Sequence, residues 1–152
     1  MSDPTVIAAR QGQQFRGPTG PPMTVKIAGG VTGGAYSVIE YSHRAGAPGP
    51  SPHVHREHEE AFRVLEGELS LDVEGRTITL GPGEYAVVPR GAVHRPYNEG
   101  SVEVRSLFIT SPALDGFFAE MADLNDRTGG NPPAYALREL GERWDCLFTN
   151  LP

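Results

Sequence analysis

The sequence predicts an all-β fold, a small barrel or jelly roll, followed by one or two short C-terminal helices. Three observations carry this. Segments alternating apolar and polar residues recur about every ten residues between Met23 and Thr110, a spacing typical of sandwiches and barrels. The 152 residues include 19 glycines and 14 prolines, more turn formers than a helical bundle tolerates. After Ser111 the apolar spacing changes from strand-like to helix-like.

Residues 1–22 read as an extended arm. Within it Thr5-Val6-Ile7-Ala8 has the composition of a short strand, and GQQFRGPTGPP is loop because of its helix breakers. Met23–Ile27 alternates as a half-buried strand should and ends at Gly29-Gly30. Past Gly33-Gly34, AYSVIEYSHRA is a long strand with His43 near its end. Ala45–Pro52 is a loop, since its prolines lack the donors a central strand needs. EAFRVLEG and ELSLDVEG form two strands joined at Glu66-Gly67 as a hairpin. In the second, Leu69, Leu71 and Val73 point inward while Ser70, Asp72 and Glu74 point outward. Gly75 turns the chain into RTITL, and Gly81-Pro82-Gly83 turns it into YAVVP. Arg90-Gly91 leads into the strand or bend carrying His94. VEVRSLFIT is the last barrel strand, with Val102, Val104, Ser106 and Phe108 alternating against Arg105 and Leu107.

Ser111-Pro112 supplies an N-cap and first-turn pair for a helix whose apolar residues are Leu114, Phe117, Phe118, Met121 and Leu124. Asp126–Gly130 breaks it, and a second helix runs from about Pro133 to Trp144. The tail DCLFTNLP is apolar enough to dock. The organisation is one domain over 1–152, with an arm at 1–22, a barrel at 23–110 and a helical extension at 111–152.

A formal net charge of −6 with singly scattered arginines argues against a nucleic-acid partner. The single cysteine, Cys146, rules out an intrachain disulfide and fits a reducing compartment. The N-terminus lacks a basic stretch followed by an apolar one, and no apolar run approaches the ~20 residues of a membrane span. The default is a soluble, cytoplasmic protein with no membrane partner. No GxGxxG, phosphate-binding loop, nucleophile elbow or CxxC pair is present, so nucleotide and flavin cofactors are not indicated.

The chemistry-bearing stretch is PHVHREHEEAFRVLEG, residues 52–67. His53 and His55 share one face of a strand. Glu60 lies an odd number of positions further on, so Arg56–Glu59 must turn or bulge to return it to that face. Downstream, GEYAVVPRGAVHRPYN adds His94. Three imidazoles and one carboxylate suit one divalent transition metal. Phe62 and Val64 share the parity of Glu60 and should point inward, candidates with Tyr36 or Tyr41 for an apolar wall. His58 reads as a solvated loop histidine and His43 as structural or rim. Cys146 reads as inert, and Asn98 as bonding backbone near the metal strand. The Phe117, Phe118 and Met121 face reads as packed on the barrel or a partner subunit rather than as part of a cofactor box.

These two stretches resemble the paired motifs of the cupin superfamily. His53, His55, Glu60 and Gly67 match the first motif, G-x5-H-x-H-x3,4-E-x6-G, although Ala47 stands where its leading glycine belongs, with Gly46 and Gly49 nearby. Gly83, Pro89, Gly91, His94 and Asn98 match the second, G-x5-P-x-G-x2-H-x3-N, at every position. The resemblance covers roughly residues 35–110 and implies a cupin-type jelly-roll barrel with a metal held by His53, His55, Glu60 and His94. The metals it implies are Fe, Mn, Ni, Co, Cu or Zn. The wording HxHxxxxEAFxVLEGEL and the trailing helices look most like small quercetinase-like cupins, similar to flavonol 2,4-dioxygenases. The expectation is a homodimeric dioxygenase using O2 on an aromatic or enolisable small molecule, with Glu60 also as general base. A non-oxidative isomerase, cyclase, lyase or decarboxylase, or a binding module without turnover, stands as the alternative.

Overall fold

A computed structural model of the chain describes residues 4–16 and 22–151. Eleven strands and two helices follow in order: β1 Gln13–Arg16, β2 Pro22–Ile27, β3 Ser37–His43, β4 His53–Val54, β5 Glu59–Glu66, β6 Leu69–Val73, β7 Arg76–Leu80, β8 Tyr85–Val88, β9 His94–Tyr97, β10 Val104–Ser111, α1 Asp115–Arg127, α2 Ala134–Trp144 and β11 Leu147–Phe148. They form a six-stranded sheet, β1-β2-β3-β10-β5-β8, and a five-stranded sheet, β11-β4-β9-β6-β7. Every pairing is antiparallel. This is the jelly-roll arrangement with two C-terminal helices that the sequence predicts.

Strand parity sets the core. On β5, Glu60, Phe62 and Val64 are buried while their neighbours are half-buried or exposed. On β10 the inward set is Val104, Ser106, Phe108 and Thr110, and Phe62 lies opposite Phe108 in the register. These side chains meet Ile39, Leu69 and Leu71 in the main core. A second apolar cluster, Leu114, Phe117, Leu140 and Cys146, joins the helices to the tail.

Several expectations are corrected. Residues 5–8 are not a strand; the arm's strand is β1, which pairs Gln13–Arg16 with β2 and packs Phe15 against the core. Long-range pairing overrides the local loop composition there. Residues 17–21 of the expected loop lie outside the described residues. β5 and β6 are not a hairpin, because β5 pairs with β10 and β8 whereas β6 pairs with β7 and β9. Gly67, at φ +78°, carries the chain from one sheet to the other, and a Cβ there would come within 2.8 Å of the Glu103 carbonyl. The true hairpin is β6–β7, closed by Glu74 and Gly75 at φ 50° and 73°.

Val102 lies outside β10 and is 63% exposed. Ser70 is buried despite its outward parity, with its hydroxyl donating to Glu99 Oε1. Ser111 is the last residue of β10 and caps nothing in α1; its hydroxyl donates to the Ala35 carbonyl. The Leu114 N–H instead reaches the Ser37 and Thr110 hydroxyls, both at 3.1 Å. The tail docks as expected, with β11 paired to β4. Among the described residues no helix is long and apolar enough to cross a membrane.

Candidate metal centre

β4 carries His53, and His55 follows it directly. The chain bends at Arg56 and Glu57, then β5 starts and delivers Glu60. The bend demanded by parity is therefore present. β9 pairs with β4 so that His94 lies directly opposite His53. All four side chains are buried, and a ligand atom from each lies within 4.8 Å of the others.

Gly49, at φ +70°, lets the preceding loop close on β9; a Cβ there would lie 1.9 Å from the Pro96 carbonyl oxygen. The missing motif glycine at Ala47 thus has a working neighbour two residues on. Asn98 bonds backbone as expected, donating to the carbonyls of His43, Arg44 and Val102 and accepting from Gly100 N–H.

Each histidine has its Nδ1 against a backbone carbonyl: His53 on Ser51 at 3.0 Å, His55 on Asp145 at 2.6 Å, His94 on Ala92 at 3.0 Å. A carbonyl only accepts, so every Nδ1 carries the proton and every Nε2 is left as the ligating nitrogen. The Nε2 atoms of His94 and His55 lie 2.8 and 3.6 Å from Glu60 Oε2, and His55 Nε2 is buried without a hydrogen-bond partner. Donors about 2.1 Å from one ion are spaced roughly 3–3.5 Å apart, so this cluster fits a metal.

Electrostatics divide the cluster. Burial pushes the Glu60 carboxyl up, but the adjacent His55 and His94 imidazoles outweigh it and hold the carboxyl far below its usual range. Burial also opposes charge on His55, yet Glu60 and the Asp145 carbonyl raise it overall. His53 is lowered to about 4 by burial first and then by the neighbouring His94. His43 is lowered to about 4 by burial.

A pH dependence follows for the metal-free protein. Between about pH 6.5 and 4.5 the unfolded chain binds protons at His43 and His53 that the folded chain does not. Stability should therefore fall as pH falls through that window, by about 1.4 kcal/mol per pH unit for each histidine at most. Thermal melts across the range check this, and a flat profile would show that neither imidazole is held neutral by the fold.

The site opens on a cavity of about 410 Å³ lined by Tyr41, Phe62, Phe108, Phe118, Met121 and Phe148 among others. Tyr41 and Phe62 are wall residues as expected. Val64 is instead sealed in the core, and Tyr36 is 41% exposed elsewhere. The α1 face does pack on the barrel, with Phe118 and Phe108 centroids 5.4 Å apart, and the same residues roof the cavity.

His58 is not solvated: its Nδ1 lies 2.8 Å from Asp145 Oδ2, and its side chain is 11% exposed. His43 is buried beside Ser106 Oγ at 3.2 Å and also lines the cavity. Cys146 lines it too, and burial pushes its thiol up, which keeps it protonated and unreactive. Asp145 and the tail were not legible in advance as parts of the site. The one local sign is an aspartate just past a helix end, where the left-handed conformation is tolerated.

Comparison with known proteins gives a consistent picture. Residues 40–110 match the model of the cupin domain. An uncharacterised protein of Aquifex aeolicus is 43% identical over 65 residues, covering 43% of this chain and 53% of that protein. Quercetin 2,3-dioxygenase of Bacillus subtilis is 35% identical over 72 residues, covering 47% of this chain and 21% of the enzyme. The chain thus spans about half of the first relative and about a fifth of the second. Among solved structures, KdgF from a Halomonas species superposes with a TM-score of 0.63 at 18% identity, over 72% of this chain and 94% of that one. At that identity the likeness speaks for the fold alone. Residues 40–110, the stretch that bears all four clustered side chains, thus match the cupin domain, and the fold around them resembles that of KdgF.

Proposed function

We propose that this chain is a mononuclear metal-dependent dioxygenase of an aromatic or enolisable small molecule, acting in the cytoplasm. The observation that carries the metal reading is the shared tautomer: three imidazoles whose Nδ1–H groups are anchored on carbonyls, with Glu60 beside them at the head of an apolar cavity. His53, His55, Glu60 and His94 would hold one divalent ion, Fe, Mn, Ni, Co, Cu or Zn. Such an ion supplies Lewis acidity to a bound hydroxyl or enolate and, when redox-active, a path for electrons to O2.

The remaining work falls to the protein. The aromatic wall excludes water and orients a flat substrate with its oxygen toward the histidines. Glu60, ionised across the physiological range, accepts the substrate's hydroxyl proton. Its low basicity restricts it to a hydroxyl already acidified in the site. The likeness to the Bacillus subtilis dioxygenase supports an oxidative reaction in which both atoms of O2 enter the product.

The test is O2 uptake by protein reconstituted anaerobically with each of the six metals, offered quercetin and a panel of catechols and diketones. Metal-dependent uptake with one compound supports the dioxygenase. Turnover of a panel compound without O2 would replace it by a Lewis-acid isomerase, lyase or decarboxylase. We also propose a homodimer, in which an open sheet edge is covered by a second copy. A solution mass near that of one chain would contradict this.

A further inference from the structure

The ligand-bearing segment 52–58 has few bonds to the barrel. β4 has two residues; among the described residues its barrel strand partner is β9 through His53 and His94, and the Gly91 N–H donates to the His55 carbonyl at 2.7 Å. What covers its other edge is the C-terminal tail, which lies outside the cupin match at 40–110. Thr149 donates its N–H and hydroxyl to the Pro52 carbonyl at 3.0 and 3.1 Å. Phe148 pairs with His53 and Leu147 with Val54. The Asp145 carbonyl accepts from His55 Nδ1 at 2.6 Å. Residues 145–149 therefore run antiparallel along 52–58, contact for contact.

Asp145 is the end of this clamp. It closes α2 in the left-handed conformation, φ 54° and ψ 40°, which turns its carbonyl and its carboxylate onto the same segment. The carboxylate accepts the N–H groups of Arg56 at 2.9 Å, Glu57 at 2.7 Å and His58 at 3.2 Å, and also His58 Nδ1 at 2.8 Å. Those are the residues of the bend that returns Glu60 to the face of the histidines. An isolated bend of this kind leaves three successive N–H groups without strand partners, and one carboxylate satisfies them together.

We propose that Asp145 is a positioning residue of the metal centre. Its carbonyl sets the tautomer and orientation of His55, and its carboxylate fixes the 56–58 bend that sets the reach of Glu60. This rests on the metal reading above. Outer partners of this kind change metal affinity by about 10–100-fold when removed.

Asp145→Asn keeps size and tolerance of the left-handed conformation, but it puts an amide donor where the bend needs acceptors. The test titrates the full-length chain with Co(II), following both the dissociation constant and the visible d–d spectrum. Leu80→Ala, a core change on β7 outside the clamp, serves as a control for general loss of stability. Expected is a loss of Co(II) affinity of about 10-fold or more with an altered spectrum in Asp145→Asn, and parent-like affinity and spectrum in Leu80→Ala. Asp145→Glu, which keeps the charge, should recover part of the affinity and serves also if the asparagine variant does not fold. Unchanged affinity and spectrum in the Asp145 variants, or an equal loss in Leu80→Ala, would overturn the positioning role while leaving the metal reading intact. Failure of the parent chain to take up Co(II) overturns the metal reading, and this inference with it.

Discussion

Replacing His53 or His55 by alanine should abolish stoichiometric metal binding. Each supplies one of three Nε2 donors, and neither of the two other imidazoles, His43 and His58, lies in the four-residue cluster. His58 is held by Asp145, and His43 lies on β3 against Ser106. Removing either ligand leaves two imidazoles and a carboxylate, and the loss should exceed the roughly 100-fold that an outer partner costs. Metal analysis after dialysis, with Co(II) titration on the same samples, reads the effect. Circular dichroism on the same samples checks that the fold is intact. Undiminished metal in both variants would rule out this cluster as the site.

Glu60→Gln should separate the two roles given to that carboxylate. The amide keeps the volume of a side chain buried between β5 and the histidines, and its oxygen can still face His94. Metal should largely be retained. Turnover should fall by about 10²–10⁴-fold, since the amide accepts no proton. The comparison that matters is kcat at full metal occupancy, measured on the substrate that the O2 screen identifies. Full activity would leave Glu60 as a ligand alone and move the proton to another acceptor.

Three of the candidate ligands, His53, His55 and Glu60, were legible in the sequence because their geometry is local. Parity put His53 and His55 side by side and demanded a bend before Glu60. Alternation on β5 and β10 placed Phe62 and Phe108 inside, and the glycine at position 75 closed a genuine hairpin. Each of these depends on residues within a few positions of one another. The helix periods and the docking tail were readable for the same reason.

Other features depend on partners remote in the chain. The stretch around Gly67 looks like a hairpin, yet β10, about forty residues on, claims β5 and leaves β6 to the other sheet. β1 forms within a loop-like composition because β2 presents it with an edge. His58 appeared solvated until residue 145 came to meet it, 87 positions later. The aromatic residues of α1 read as packing alone, and only the way the helix lies across the barrel makes them the roof of the cavity. Periodicity and turn chemistry report what a segment prefers by itself. Which edge it pairs with, and which buried donor its carboxylate must satisfy, is decided by closure of the whole barrel, where unpaired backbone groups cost too much to leave buried.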